Sequence, residues 1–311
     1  MIPFSAICLA GPTACGKTNI ALEIAEEFNL AIINADSRQV YEDFPIITAQ
    51  PTIEEQKKVK HFLYGFLSSN EKINTGKWLE MACNVMHGLK QDHILPLFVG
   101  GTGFYFKTLL EGIAAIPHID NKISNDLFLR LQNEGLEVLY SELCVKDNIY
   151  ASKIHKNDTQ RILRALEVCE GTEHNFTWWH ENCEKIPSAK GPFLVILPNL
   201  NEITPYIEKR IDSMLKNGAI DEAKKALDKN SCIEMPVWSG IGCAEILSYL
   251  KQQISFEDCK KLWIKNTRAY AKRQITWFKY QKNAIFLSLT AKDRIKDLVK
   301  EFLDSDKNNL R

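Results

Sequence analysis

A glycine-rich loop, GPTACGKT at positions 11–18, directly follows the apolar run ICLA at positions 7–10. The loop satisfies G-x-x-x-x-G-K-[ST] at every specified position, and the amphipathic stretch behind it predicts a helix over Lys17–Phe28. In a strand–loop–helix junction of this kind, successive backbone N–H groups and the helix N-terminus converge on an anion. The predicted phosphate-binding residues are Gly11, Pro12, Thr13, Ala14, Cys15, Gly16, Lys17 and Thr18. Within this set, Lys17 supplies a point charge and the Thr18 hydroxyl is placed to coordinate Mg²⁺.

The hydrophobic pattern predicts an α/β fold with an inserted helical domain. Short apolar strands are expected at Ala6–Ala10, Leu30–Asn34 and Ile94–Val99, separated by helices such as Thr75–Lys90, which is typical of a parallel sheet. Helical periodicity dominates from about residue 124 to 171, and an apolar strand returns at Phe193–Leu197. After it, the chain is expected to be helical to its end. The predicted domains are a core, 1–116 and 191–311, and a helical insert, 117–190.

Composition excludes several classes of protein. With 311 residues, 45% hydrophobic and 25% charged, the chain resembles a soluble globular protein, and no stretch approaches the roughly 20 apolar residues of a membrane span. The apolar start lacks a basic leader and is expected to be a strand instead of a signal peptide. Nine cysteines without a C-x-x-C pair argue against a disulfide framework and a zinc site. A cytoplasmic protein with no membrane partner is therefore expected.

A basic segment stands out although the net charge is zero. Between Lys260 and Lys282 there are eight Lys or Arg residues, no Asp or Glu, and five interleaved aromatic residues. At helical spacing, the charges share one face and apolar residues form another. The segment is either the solvated face of a core helix or a surface that binds a phosphate backbone.

Two further strand ends are expected beside the loop, because ligands bind at the carboxyl ends of strands in an open parallel sheet. The strand at Leu30–Asn34 ends in ADSRQVY, and the one near residue 99 ends in GGTG. There is no Asn/Thr-Lys-x-Asp segment of a GTPase and no Walker B strand ending in an acid. The predicted site therefore has one acid, Asp36, and lacks an obvious second acid for ATP hydrolysis.

Seven motifs together resemble the tRNA dimethylallyltransferases. GPTACGKT, DSRQVY, QPTIEE followed by VKHFL, VGGTGFY, NDTQRILRALEV, IEKRIDSML and AYAKRQITWF occur in the order and approximate spacing of that family, over Gly11 to Phe278. The resemblance implies a P-loop nucleoside-triphosphatase-like core with an inserted helical domain. The lack of a C-terminal zinc finger in this sequence predicts the bacterial type.

The resemblance also implies an activity. A dimethylallyl group would pass from dimethylallyl diphosphate to N6 of the adenine at tRNA position 37, immediately 3′ of the anticodon. The phosphate loop would then hold a diphosphate leaving group, with Mg²⁺ as cofactor. We expect a monomer whose partners are the tRNA anticodon stem-loop and the prenyl donor.

Catalytic roles follow from the chemistry and from the resemblance. The acceptor amine must lose a proton as it is alkylated, and Asp36 is the predicted general base; alternatively, it caps the next helix. The resemblance makes Thr18 a second catalytic residue, Lys17 and Arg210 diphosphate-binding cations, and Thr102 a residue near the reactive groups. Without a role in the reaction, Thr102 would be part of a glycine-rich turn and Arg210 a surface residue of a helix.

The tRNA-binding residues are assigned by resemblance alone. They could equally be surface charges of ordinary helices, and Gln39 is predicted to read an adenine edge with both ends of its amide. The predicted contacts are Asp36, Ser37, Arg38 and Gln39, then Gln160, Arg161, Ile162, Leu163 and Arg164, and finally Lys272, Arg273 and Gln274.

The sequence departs from the family pattern at four places: Cys15, His61-Phe62-Leu63, Ser124 and Gly242-Cys243-Ala244-Glu245. None of them touches Asp36, Lys17, Thr18 or Arg210, so the departures bear on tRNA selection more than on chemistry. Three alternative functions stay open: an adenylate dimethylallyltransferase that acts on free AMP, ADP or ATP, a small-molecule P-loop kinase, and a nucleic-acid-binding module with a vestigial loop. The basic segment favours tRNA over a free nucleotide as the acceptor.

Overall fold

The computed structural model describes residues 2–229 and 235–309 of the chain. Its main sheet has six strands, all parallel, in the order β4-β3-β5-β2-β7-β8, and β1 pairs with β6 in a separate two-stranded sheet. The strands are β1 (Phe4–Ser5), β2 (Ile7–Ala10), β3 (Leu30–Asn34), β4 (His61–Phe62), β5 (Leu95–Gly100), β6 (Ala189–Lys190), β7 (Phe193–Ile196) and β8 (Ala284–Leu287).

Fifteen α-helices and one 3₁₀-helix (Pro236–Ser239) are present in the described residues. The helices of the first 116 residues are α1 (Lys17–Phe28), α2 (Pro45–Thr48), α3 (Ile53–Lys58), α4 (Thr75–Gln91) and α5 (Gly103–Glu111). Next come α6 (Asn121–Glu134), α7 (Leu136–Lys146), α8 (Asn148–Ala151), α9 (Thr159–Gly171) and α10 (Phe176–Asn182). The last are α11 (Leu200–Lys216), α12 (Ala219–Lys229), α13 (Cys243–Leu250), α14 (Phe256–Lys279) and α15 (Lys292–Asn309).

The predicted α/β class and the predicted elements around the phosphate loop are confirmed. Helix α1 covers the predicted residues and ends at Asn29, whose left-handed backbone (φ 53°) stops the helix. Strand β3 is entirely buried and has its predicted bounds. The central strands β2, β3 and β7 are apolar throughout or nearly so because helices cover both faces of a parallel sheet.

The expectation of a helical chain after residue 197 is wrong at one place. Residues 284–287 form the edge strand β8, which pairs with β7 in the register Phe193 to Ala284. The run AIFL is too short for its periodicity to distinguish a strand from a helix. The run forms a strand because it pairs with β7, and a pairing between distant segments cannot be seen in the sequence.

Residues on alternate sides of the strands form two apolar clusters. On one face, Phe98 and Val195 pack with Trp78, Phe106 and Phe278. On the other, Leu97 and Ile196 pack with Ile24, Ile295 and Val299, so that helices α1 and α15 share a core. Lys296 of α15 also contacts Glu27 of α1 at 2.5 Å. The helix behind the phosphate loop is therefore held by buried contacts from the far end of the chain.

The chain divides into two compact units, Met1–Leu110 with Pro187–Arg311, and Glu111–Ile186. The predicted insert is 117–190, so both of its boundaries move, the first to 111 and the second to 186. The second moves because Ala189–Lys190 forms β6 and pairs with β1, while the Ser188 N–H donates to the Leu109 carbonyl at 3.0 Å. The second unit is all-helical, with a core of its own built from Leu127, Leu139, Leu143, Ile162 and Leu166.

Candidate functional site

The phosphate loop has the backbone of an anion-binding nest. Ala14 and Gly16 adopt left-handed conformations (φ 63° and 80°), so neighbouring N–H groups turn toward one concavity at the start of α1. The first turn of α1 holds no acidic residue that would compete with a bound anion. The ammonium group of Lys17 donates to the Pro12 carbonyl at 3.1 Å and so lies along the loop.

Gln274 of α14 braces this loop. Its amide nitrogen donates to the Gly101 carbonyl at 2.8 Å, and its amide oxygen accepts the Thr13 N–H at 2.9 Å. Only 5% of the residue is exposed. The prediction that Gln274 contacts tRNA is therefore wrong for its side chain, because both ends of the amide are committed to fastening the phosphate loop to the GGTG turn.

Asp36 lies at the carboxyl end of β3 in a fixed orientation. Its N–H donates to Asn34 Oδ1 at 2.8 Å, and its Oδ1 accepts the Arg38 N–H at 2.8 Å. The buried Asn34 amide in turn donates to the Asp36 and Leu63 carbonyls. The alternative in which Asp36 caps the next helix is wrong, because turns follow and α2 begins only at Pro45. Among hydrogen bonds of the described residues, none reaches Asp36 Oδ2.

Thr102 joins the ends of β3 and β5. Its N–H donates to the Ala35 carbonyl at 3.1 Å, and its hydroxyl oxygen accepts the Ser37 N–H at 2.9 Å. These contacts hold the segment that carries Asp36. The Thr102 side chain also forms a hydrogen bond with Tyr270 of α14. The role of Thr102 near the reactive groups stays a prediction.

A cavity of about 330 Å³, which we call the strand-end cavity, opens where β2, β3 and β5 end. The polar part of its lining, here the polar wall, includes Thr13, Lys17, Thr18, Asp36 and Arg210, and Asp36 is the only acidic residue among the described residues that line the cavity. The apolar part, here the apolar wall, adjoins Arg210 on α11. Its members are Ile47, Ile207, Ile211, Met214, Ile241 and Trp263.

Arg210 faces this cavity from α11. Among the described residues, none forms a hydrogen bond or an ion pair with its guanidinium group. Burial lowers the pKa of Arg210, and the negative charge of Asp36 opposes that effect. Arg210 is half-buried, and a cation that is partly removed from water without a hydrogen-bonded partner gains from a nearby anion, so the site favours an anionic ligand between Arg210 and the phosphate loop.

The apolar wall was missed by the sequence analysis. Ile207, Ile211 and Met214 recur on α11 at i, i+4 and i+7, one face that also carries Arg210. That spacing was visible in IEKRIDSML, but periodicity alone does not distinguish a cavity wall from a core. Tyr270 was missed in the same way; burial and the charge of Asp36 both raise the pKa of its phenol, which therefore stays protonated beside the cavity.

Ser37, Arg38 and Gln39 all line the strand-end cavity, as does Arg273. The Arg38 guanidinium donates to the Val237 carbonyl at 2.5 Å and lies over the Tyr41 ring. Gln39 Nε2 donates to the Thr48 and Ala49 carbonyls at 3.0 and 2.6 Å. The prediction that Gln39 uses both ends of its amide on a base is therefore wrong, because the nitrogen is already occupied.

In the helical insert, the predicted tRNA contacts separate into two sets on α9. Gln160, Arg161 and Arg164 are exposed, and the two arginines contact Asp158 and Glu167. Ile162 is completely buried in the core of the insert and Leu163 is half-buried against it. The prediction that the Ile162 side chain contacts tRNA is thus wrong, because its position on the helix turns it inward.

Gly100 offers a test of the junction between strand ends. A Cβ at this position would lie 2.0 Å from the Ala35 carbonyl oxygen, a backbone atom that cannot yield without moving the Asp36 segment. We expect Gly100→Ala to lower the free energy of unfolding by about 1–3 kcal/mol. Gly88→Ala, on an exposed and open part of α4, is the matched control and should raise it by up to about 1 kcal/mol. Equal denaturation midpoints for the two variants would contradict this packing.

Comparison with known proteins places the chain in a family. Residues 39–281 match the family model described as IPP transferase. The tRNA dimethylallyltransferase of Desulfovibrio desulfuricans is 47% identical over 281 residues, covering 90% of this chain and 87% of that protein. This chain belongs to the IPP transferase family. A second IPP transferase relative, the tRNA dimethylallyltransferase of Oleidesulfovibrio alaskensis, is 46% identical over 93% of this chain and 94% of its own.

Solved structures agree with the assignment to the IPP transferases. The tRNA isopentenylpyrophosphate transferase of Bacillus halodurans has a TM-score of 0.71 and 26% identity, with 98% of each chain covered. A eukaryotic dimethylallyltransferase acting on tRNA has a TM-score of 0.80 and 26% identity, over 96% of this chain and 77% of its own. The likeness extends through both structural units, so the helical insert belongs to the family architecture.

Proposed function

We propose that this protein transfers a dimethylallyl group from dimethylallyl diphosphate to N6 of the adenine immediately 3′ of the anticodon in tRNA. The observation that carries the proposal is the strand-end cavity, whose lining combines cationic and apolar residues. Its cationic wall suits a diphosphate, its apolar wall suits a short hydrocarbon, and Asp36 is the one carboxylate. The names of the relatives and of the structural neighbours point to the same tRNA prenylation.

Transfer requires the prenyl C–O bond to break as a new N6–C bond forms. Negative charge then accumulates on the departing diphosphate, where preorganised donors stabilise the transition state. The loop N–H groups, the Lys17 ammonium and the Arg210 guanidinium are the donors available in the cavity. The dimethylallyl tail would lie against Ile207, Ile211 and Met214, next to Arg210 on the same helix.

The acceptor amine must lose a proton to complete the reaction. Asp36 takes that proton in our proposal: Oδ1 is held by the Arg38 N–H, which leaves Oδ2 to act as the base. Thr18 and Thr102 are proposed to act beside it, Thr18 on the oxygen that departs with the diphosphate and Thr102 by holding the Ser37 segment. An adenine stacked in an anticodon loop must first be unstacked to reach this depth.

Mg²⁺ fits this site as a partner of the diphosphate. In the part of the chain that the structure describes, there is no cluster of three or more His, Cys, Asp or Glu side chains able to hold a metal. Mg²⁺ usually binds through one or two protein oxygens, water and substrate phosphates, and Thr18, which lines the cavity, is the residue proposed to offer such an oxygen. When bound, the ion would neutralise charge on the leaving group.

The basic face of α14 is proposed to hold the anticodon stem-loop. Lys265, Lys272, Arg273 and Lys279 are exposed, and a groove of about 510 Å³ combines Lys272 and Arg273 with Trp277 and Tyr280. Cations with adjacent aromatic rings match the needs of RNA backbone and unpaired bases. The same face would have no purpose in an enzyme acting on free AMP.

Lys272→Ala tests this surface. The variant should weaken binding of the stem-loop and reduce the slope of log affinity against log salt by about 1, the change expected for one lost phosphate contact. Fluorescence anisotropy across a salt series measures both. Lys300→Ala, an exposed lysine of α15, is the control and should behave as wild type. An unchanged slope in Lys272→Ala would contradict the proposed RNA surface.

Two further properties are part of the proposal. We expect a monomer that works in the cytoplasm, and the eight described cysteines, all unpaired, fit a reducing compartment. None of the helices within 2–229 and 235–309 has both the length and the apolar character needed to cross a bilayer.

A competition assay tests the function. The protein is incubated with unmodified anticodon stem-loop RNA, AMP, Mg²⁺ and labelled dimethylallyl diphosphate, and the products are separated. We expect label in the RNA, at N6 of the target adenine. Label in AMP alone would support the adenylate-specific alternative, and ATP turnover without transfer would support a kinase; either result would overturn the proposal.

A further inference from the structure

The short helix α2 (Pro45–Thr48) is held at both ends by side chains from other parts of the core. At its N-terminus, the two carboxylate oxygens of Glu222 accept the Ile46 and Ile47 N–H groups at 2.6 and 2.9 Å. Its own N-cap residue, Phe44, makes no capping hydrogen bond with its side chain. Glu222 of α12 therefore supplies, from 176 residues away, the acceptor that a local cap would normally provide.

Glu222 is an unusual residue for a purely structural cap. It is 9% exposed, and burial raises the pKa of its carboxyl to about 7 against the lowering effect of the two N–H groups. The nearby contact of Lys229 with Glu42 and Asp43, at 3.1 and 2.9 Å, involves residues that precede α2 and an exposed lysine, so it adds little. Ile47 of α2 packs with Ala219, Ala223 and Ala226 of α12 in one buried cluster, and Glu222 adds the hydrogen bonds that set the orientation of α2 against that apolar contact.

The other end of α2 fixes Gln39. Gln39 Nε2 donates to the Thr48 and Ala49 carbonyls, the last acceptors of the helix. Only the NH₂ end of an amide can face two carbonyl oxygens, so the opposite orientation is excluded. Both N–H bonds of the Gln39 amide are thus used. Its oxygen, Oε1, remains available to a ligand in the strand-end cavity, and this atom can only accept a hydrogen bond.

We propose that Glu222 is a positioning residue that acts through α2 to hold Gln39 as a hydrogen-bond acceptor for the exocyclic amino group of the target base. This inference rests on the proposed function. It adds a source of selectivity: a fixed acceptor favours adenine, which presents N6–H, over a base with a carbonyl at the same position. A free amide would rotate and accept either base.

A double-mutant cycle with a binding readout tests the proposal. Affinities are measured for two stem-loops that differ only at the target base, adenine or inosine, whose O6 replaces the amino group. Glu222→Gln keeps one acceptor oxygen but turns an amide nitrogen toward the second N–H. We expect it to reduce the preference for adenine by about tenfold, the scale of one charge-assisted hydrogen bond. Gln39→Ala should do the same, and the double variant should lose no more than either single variant.

Two further variants distinguish a positioning role of Glu222 from a general loss of folding or RNA affinity. Asp221→Asn, an exposed neighbour on α12, should leave the preference unchanged. Gln39→Met approaches the same contact from the other end, because it keeps the length of the side chain without its amide; it should reduce the preference for adenine to the same extent while Glu222 stays intact. Its use keeps the test valid if Glu222→Gln folds poorly in a thermal melt.

Three results would overturn the proposal. The first is an equal loss of affinity for both RNAs in the Glu222→Gln variant. The second is a loss of adenine preference in the double variant that equals the sum of the two single losses. The third is a wild-type protein that binds both stem-loops equally. Failure of the proposed function is separate: it would appear as wild-type protein that transfers no dimethylallyl group, whatever the binding ratio.

Discussion

Asp36→Asn is expected to slow dimethylallyl transfer by about 10²–10⁴-fold and to leave donor binding nearly unchanged. Asparagine keeps the Oδ1 atom that accepts the Arg38 N–H, so the segment after β3 should stay in place. It lacks the basicity needed to take a proton from the acceptor amine. Single-turnover rates with saturating stem-loop RNA, together with the affinity for dimethylallyl diphosphate, separate chemistry from binding.

Asp92→Asn is the matched control for this change. Asp92 is an exposed carboxylate paired with Lys60 outside the strand-end cavity, and its loss should not alter either measurement. Asp36→Ala should be as slow as Asp36→Asn, with an additional loss of stability from the broken turn. Transfer at near wild-type rate by either Asp36 variant would show that another group is the base.

Arg210→Ala is expected to reduce transfer by about 10²–10³-fold, the cost of removing one preorganised donor from developing negative charge. Unlike the Asp36 variants, it should also weaken binding of the donor and of inorganic diphosphate, because the Arg210 guanidinium lines the cavity and forms no hydrogen bond or ion pair among the described residues. Arg210→Lys should recover part of the loss, since it restores the charge without the planar fork of donors.

Lys209→Ala is the control for Arg210, as it is an exposed cation at the neighbouring position of α11. It should bind diphosphate as wild type does in a calorimetric titration. If Arg210→Ala binds diphosphate as tightly as Lys209→Ala, the anion does not lie between α11 and the phosphate loop.

Sequence reasoning located the parts of the site that are encoded locally. The phosphate loop, α1 and β3 could be predicted because glycine spacing and strand hydrophobicity act over a few neighbouring residues. Asp36 followed from topology, since the ends of parallel strands meet. Arg210 was found by resemblance alone, because the sequence of its helix predicts a surface residue at this position. The packing of α11 brings it to the cavity.

Contacts between distant segments account for the wrong predictions. Gln274 was expected to bind RNA, but the crossing of α14 under the loop places its amide between Thr13 and Gly101. Gln39 was expected to contact a base with both ends of its amide, but its nitrogen donates to the Thr48 and Ala49 carbonyls at the end of α2 instead. A motif indicates which residues accompany a function. It does not distinguish the residues that contact a ligand from those that hold the ligand-binding residues in place.

A crystal structure of the protein with diphosphate and Mg²⁺ tests directly whether the phosphate loop holds the leaving group. We expect the anion in the loop of residues 11–18, in contact with Lys17 and Arg210, with the Asp36 carboxylate facing it across the strand-end cavity. An anion bound away from Lys17, or an Asp36 carboxylate turned from the anion to bulk solvent, would contradict it.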